Sequence, residues 1–415
     1  MNRENWNLLS INECADVIGG GTPSTKNSDY WDGNIPWISP KDLSNNKDKY
    51  ITNGERFITE LGLEKSSAKL LPANSLLFSS RAPIGYLAIN AKPVATNQGF
   101  KSLILKDEFD VEFFYYLFKQ KTEFIKSFAS GSTFQEVSGS VVKNLSFLIP
   151  PKQEQEKISN ILSKLDKKIE LNQKMNKILE EIAKTLFKSW FIDFDPVRAK
   201  AEGRPTGLSK EISDLFPDSF EDSELGEIPK GWNLLTFGDF VTPIRGKVIT
   251  KKTTNPGDIP VVAGGLEPAY FHSTANVQGP AVTISASGAN AGYTNLYFED
   301  IWASDCSYIS NNQSGNVFTS YIFLKFNQER IFDSQHGAAQ PHIYPDDLRR
   351  LDMVIPNNDL YATFENLITS FFKKMKLNKD ETKNLTSLRN TLLPKLISGE
   401  FKITDAEEII EEAGV

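Results

Sequence analysis

Residues 131–191 align with residues 337–397 at a constant offset of 206 and without a gap. Thirteen of those 61 positions are identical, among them Gly131/Gly337, Leu145/Leu351, Ile149-Pro150/Ile355-Pro356, Asn172/Asn378 and Thr185-Leu186/Thr391-Leu392. The register crosses a glycine loop, an Ile-Pro strand end and a long helix, so shared helix composition does not explain it. The chain is duplicated. Shorter echoes agree: Asn5-Trp6-Asn7-Leu8-Leu9 against Gly231-Trp232-Asn233-Leu234-Leu235, and Gly33-Asn34-Ile35-Pro36 against Gly257-Asp258-Ile259-Pro260.

Each copy has two parts. Residues 1–150 and 229–356 are rich in Gly, Pro, Ser and Asn, with short apolar runs such as Ser75-Leu76-Leu77-Phe78 and Ala281-Val282-Thr283-Ile284. Bounded by turn residues, these read as short strands. Residues 151–195 and 357–400 read as long helices, leaving 196–228 as an acidic linker and 401–415 as an acidic tail. Along the first helix a seam passes through Ile158, Leu162, Leu165, Ile169, Asn172, Asn176, Leu179 and Ala183, in heptad steps. The second repeats it at Phe364, Ile368, Phe371, Met375, Asn378, Thr382 and Leu385. Polar residues fall at the same two seam places in both copies. Such residues cost stability but fix register and partner, so the two helices are expected to pack on each other. Pro394 is expected to end or kink the second one.

Composition narrows the function classes. The net charge of −7 is unevenly spread: residues 195–228 carry nine acids against four bases, and residues 398–415 six against one. The remainder is basic, and phosphate binding depends on local surfaces rather than on the total. Cys14 and Cys306 stand far apart, which disfavours a disulfide framework and fits a reducing compartment. With His272, His336 and His342 the only histidines, no metal site is expected. The polar start and the lack of a long apolar run point to a cytoplasmic protein.

No catalytic constellation emerges. Gly20-Gly21-Thr22-Pro23-Ser24-Thr25-Lys26 resembles a phosphate loop in outline, yet it lacks the second glycine before the lysine and contains a proline. Asp166-Lys167-Lys168 fits a nuclease pattern, but on a heptad helix it reads as a solvated face. Binding residues are better represented. The first copy offers Thr22, Ser24, Lys26, Lys41, Arg81, Lys101, Ser132, Thr133 and Gln135. The second offers Arg245, Lys247, Lys251, His272, Ser285, Ser287, Gln340 and His342. Lys and Arg contact phosphates, while Gln, Ser, His and Arg read base edges.

These residues carry a resemblance. Gly20-Gly21-Thr22-Pro23-Ser24 with Ile35-Pro36-Trp37-Ile38-Ser39-Pro40, and Ile149-Pro150-Pro151 with Gln153-Glu154-Gln155, form one part of it. Ser189-Trp190-Phe191-Ile192-Asp193-Phe194-Asp195-Pro196-Val197, Gly337-Ala338-Ala339-Gln340-Pro341-His342-Ile343 and Leu392-Leu393-Pro394-Lys395-Leu396-Ile397-Ser398-Gly399-Glu400 form the rest. Together they are similar to the specificity subunits of type I restriction-modification enzymes, over nearly the whole chain. The resemblance implies an α+β fold: two α/β target-recognition domains separated by an antiparallel pair of long coiled-coil helices, in a pseudo-twofold duplication. It implies that each domain reads half of a bipartite DNA site and that the helices set the spacing. Two modification subunits and two restriction subunits would dock on the chain. Adenine methylation and ATP-driven cleavage would belong to those partners, with S-adenosylmethionine, ATP and Mg bound there and no cofactor here. Two departures suggest that the halves make different contacts. Phe134-Gln135-Glu136 lacks the Gln-Pro-His of the second half, and Pro356-Asn357-Asn358 lacks the second proline. Two alternatives stay open: the recognition subunit of a stand-alone or type IIB-like methyltransferase/restriction system, and a duplicated scaffold that binds something other than DNA.

Overall fold

The computed structural model describes residues 5–46, 48–131, 135–224, 226–337, 339–356 and 359–415. The chain divides into two compact units, Met1–Asn172 with Glu381–Val415, and Gln173–Asp380. Neither unit is one copy of the sequence repeat. Each takes half of each long helix, because antiparallel pairing lays the start of the first helix beside the end of the second.

In the first unit a five-stranded sheet runs in the order Ala15–Gly19, Lys101–Leu105, Leu76–Phe78, Leu87–Asn90, Tyr50–Ile51. A three-stranded sheet sets Trp31–Ile38 between Arg56–Ile58 and Ala95–Thr96. Asn7–Ser10 pairs antiparallel with Ser146–Ile149, just before the first long helix. The second unit builds counterparts of these three sheets, the largest with one strand fewer. Its four-stranded sheet is ordered Ile244–Arg245, Cys306–Ser310, Ala281–Ser285, Thr294–Tyr297. Its three-stranded sheet sets Ile259–Val262 between Tyr270–His272 and Trp302–Ala303, and Asn233–Thr236 pairs with Asp352–Ile355. The duplication read from the sequence is therefore a duplication of fold.

The long helices span Lys152–Phe191 and Leu360–Ile397. At 1.5 Å per residue each is about 60 Å long. Leu165, Asn172, Asn378 and Leu385 are buried, while Leu179 and Phe371 are half-buried. Across the pair in the first unit, the Asn172 side-chain amide donates to Glu381 at 2.8 Å, and Lys168 lies 3.5 Å from the same carboxylate. In the second unit, the Asn378 amide donates to Asn176 Oδ1 at 2.8 Å, and the Asn176 amide to the Met375 carbonyl at 3.2 Å. The two asparagines are thus both satisfied at the seam, but by different partners.

Four expectations need correction. The second helix continues through Pro394 to Ile397. Leu392, Leu393, Leu396 and Ile397 are all buried there, and that packing outweighs a proline cost of about 3 kcal/mol. The stretch read as linker holds the helices Asp195–Ala201 and Lys210–Ser213, the hairpin Phe220–Ser223/Gly226–Pro229 and the buried Phe216. The tail holds the helix Ile403–Glu412, whose Ala406 and Ile410 join the first core. Finally, Asp166 is no solvated helix charge: it accepts from Tyr116 Oη at 2.6 Å and from Arg389 Nη1 at 2.6 Å.

Candidate nucleic-acid interface

The Gly20-Gly21 pair belongs to close packing. A Cβ on Gly20 would stand 1.9 Å from the Asn97 carbonyl, and one on Gly21 would stand 2.2 Å from the Ala68 nitrogen. The Gly21 carbonyl accepts from the Trp37 indole at 2.9 Å. This tight turn leaves Thr22, Ser24 and Lys26 exposed beyond it. Thr22 donates to Gln98, and the Ser24 carbonyl accepts from Trp31 Nε1 at 3.1 Å. Lys41 is exposed and paired with Glu55 at 2.8 Å. Gln135 is exposed; Ser132 and Thr133 lie outside the described residues.

Arg81 and Lys101 are brought together by a residue absent from the candidate set. Glu136 accepts from Lys101 Nζ at 2.9 Å and from Arg81 Nη1 at 3.5 Å. The backbone makes this meeting: Arg81 bridges Glu136, and Ser130 bridges Glu136 on its other side. The second unit repeats the frame at the offset of 206, with Ser287 bridging His342 and His336 bridging His342. Its side chains differ. His342 Nδ1 lies 2.8 Å from the Gln340 carbonyl and its ring stacks on Tyr344, while His336 Nε2 lies 2.9 Å from Asp347. Gln340 is exposed. Asp305 gathers the candidates here, accepting from Arg245 Nη2 at 2.5 Å and from the Ser287 hydroxyl. Lys247 and Lys251 are exposed on the loop that follows Arg245.

Two candidates are withdrawn into the interior. His272 is buried: its Nδ1 accepts from the Asn255 amide at 3.0 Å, and its ring meets Trp302 edge-on. Ser285 is buried on the strand Ala281–Ser285, whose residues pair on both sides. Both look polar and loop-like in sequence, but each lies on a strand, Ser285 on a central one and His272 at a sheet edge covered by Trp302 and the Asn255 backbone. Cys14 and Cys306 are likewise packing residues. Burial pushes their thiols up to about 11 and about 12, out of the reactive range. Among the described residues no cluster of His, Cys, Asp and Glu could hold a metal, and no helix is long and apolar enough to cross a membrane.

Residues 3–181 and 229–386 match the family model for the type I restriction modification DNA specificity domain. The chain belongs to this family. The MjaIX specificity subunit of Methanocaldococcus jannaschii is 34% identical over 414 residues, covering 97% of this chain and 95% of the relative. The HindI specificity subunit of Haemophilus influenzae is 25% identical over 453 residues, covering 89% and 94%. Among solved structures, the type I restriction-modification S subunit from M. genitalium superposes with a TM-score of 0.59 at 18% identity, covering 95% of this chain and 97% of that one. That likeness is one of fold. In this member of the specificity-domain family, sequence reasoning missed Glu136 and Asp305. The signal for Glu136 lay in the repeat register, which sets it opposite His342.

Proposed function

We propose that this chain is the DNA-reading subunit of a type I restriction-modification complex and has no active site of its own. The reading rests on one observation: a single backbone frame occurs twice, and its loop clusters carry Arg81, Lys101 and Glu136 in one unit and Arg245, Ser287 and His342 in the other. A shared frame with divergent polar side chains suits two readers of different half-sites. Each unit reads one half of a bipartite site in the cytoplasm. Two modification subunits dock on the long helices, and two restriction subunits join them. In the second unit Met175, Ile178 and Ile182 form an exposed apolar stripe at steps of three and four along the first helix. A partner helix fits such a stripe. S-adenosylmethionine, ATP and Mg are carried by the partners.

The test is an exchange. Replacing residues 1–150 with another recognition domain and mapping methylated sites is expected to change one half-site and leave the other. Change or loss of both half-sites would overturn the reading. Inserting seven residues into both long helices keeps the heptad phase and adds about 10 Å, close to three base pairs of unread spacer. An active variant with an unchanged gap would show that the helices are not the ruler.

A further inference from the structure

The cations at both loop clusters are already engaged within the protein. Glu136 holds Lys101 and Arg81 in the first unit, and Asp305 holds Arg245 and the Ser287 hydroxyl in the second. The two carboxylates do not stand at equivalent places. Glu136 aligns with His342, whereas Asp305 aligns with Gly99, since the Ser80 and Ala286 amides donate to the Gly99 and Asp305 carbonyls respectively. The copies thus reach one arrangement, a carboxylate seated on the loop-cluster cations, from two different positions.

A carboxylate at such a place opposes phosphate binding twice. It neutralises the cations that would release counterions from DNA, and its own charge repels a phosphate that approaches them. The side chains are partly open to solvent, Glu136 at 32% and Asp305 at 29%. Ion pairs with that exposure are weak enough to exchange.

We propose that Glu136 and Asp305 are specificity-determining residues, one for each half-site, that keep Arg81, Lys101 and Arg245 from phosphate until base contacts compensate for breaking the pair. The inference rests on the reading that these loops face DNA. On a scrambled duplex the carboxylate's opposition to phosphate stands unrelieved. On the cognate duplex the same carboxylate holds the cations in register with the base edges, so the cost falls mainly on wrong sequences. It is recovered only where base edges engage the neighbouring side chains. Discrimination then rises because wrong sites are penalised, rather than because right ones are held more tightly.

The experiment uses the full chain assembled with its modification subunits. The probes are a duplex bearing the methylated motif mapped from cells and duplexes scrambled in one half, each titrated with salt. For Glu136→Gln, and for Glu136→Ala as a second variant, affinity for the duplex scrambled in the first half is expected to rise about 3- to 10-fold. The salt slope should steepen by about one to two, near 0.9 for each phosphate newly contacted. Cognate affinity should change less than about twofold on this accounting, since freed cations and lost restraint offset each other. Asp305→Asn should do the same at the second half only. Unchanged scrambled-duplex affinity and slope in both Glu136 variants would overturn the proposal. So would weakening confined to the cognate duplex, which would make Glu136 a reader of a cytosine amino group instead. The Arg81→Ala/Lys101→Ala variant separates the failures. If it weakens binding while the Glu136 variants change nothing, this inference alone falls. If it too changes nothing, the reading that these loops face DNA falls with it.

Discussion

Both units pack an apolar core on the long helices, but the first adds a network of charged hydrogen bonds where the second adds a cluster of aromatic rings. In the first, Lys49 Nζ reaches Glu112 at 2.6 Å and Ser163 at 2.7 Å, while Tyr50 and Ser163 also donate to Glu112. Asp166 then joins Tyr116 to Arg389, linking the domain to both helices. In the second, Trp190 packs edge-on against Phe216 at 5.3 Å, Phe187 packs edge-on against Phe323 at 6.3 Å, and Phe318 stacks on Phe372 at 4.4 Å. Polar ties accompany the rings in that unit: Tyr321 Oη donates to Glu180 at 3.0 Å, and Glu365 accepts from the Phe318 and Thr319 amides at 3.0 and 2.7 Å. Charged hydrogen bonds are directional and fix orientation, whereas ring packing scales with buried area. The copies have diverged in how each domain is held as well as in what its loops present.

The sharpest way to break this comparison is Trp190→Ala. It is expected to cost the second unit about 3–5 kcal/mol, from lost burial and the cavity left behind. Hydrogen exchange resolved by unit would show the loss in Gln173–Asp380, with protection around Phe78 and Tyr116 retained. Equal loss in both units would mean that the aromatic cluster supports the whole chain. A smaller effect is expected from Asp166→Asn, about 1–3 kcal/mol and confined to the first unit, because Tyr116 and Arg389 each lose a charged acceptor. Thermal unfolding of the variant would measure it.

The smallest effect concerns pH, and the two units should differ in sign. Burial pushes the Glu112 carboxyl up, but hydrogen bonds from Lys49, Ser163 and Tyr50 outweigh it and hold the group below its usual range. Its stabilisation is present above the unfolded carboxylate value and is lost as pH falls through the lower folded one. Burial holds Glu365 above its usual range, only partly offset by Thr319 Oγ1 and the Thr319 and Phe318 amides. A raised carboxyl favours the folded state most at low pH, and that advantage fades as pH climbs from the unfolded value through the folded one. Unfolding of Glu112→Gln and Glu365→Gln, each compared with the parent chain between pH 4 and 7, is expected to give differences of opposite slope. Parallel slopes would show that both carboxylates do the same work.

Much of the architecture was legible in the sequence. The offset of 206 announced two similar domains, and the heptad steps through Leu165, Asn172, Leu385 and Asn378 announced the helix pair. Periodicity reports which face of one element is buried, and that is a local property. The candidate interface was less legible. Arg81, Lys101, Arg245 and Ser287 were found by residue type, but the carboxylates that engage them were not, because each approaches from a distant part of the chain.

What the sequence alone determined was therefore what repeats along it: the duplication, the long helices, their polar seam positions and the family. Only the tertiary structure decided what meets across it. It placed the boundary of the compact units within the helices, because antiparallel pairing joins residues far apart in the chain. It buried His272 and Ser285 under neighbouring strands, carried the helix past Pro394 on the packing of Leu392, Leu393 and Ile397, and set Glu136 and Asp305 on their cations. Burial and ion pairing depend on what arrives from elsewhere, and only the folded chain brings those partners together.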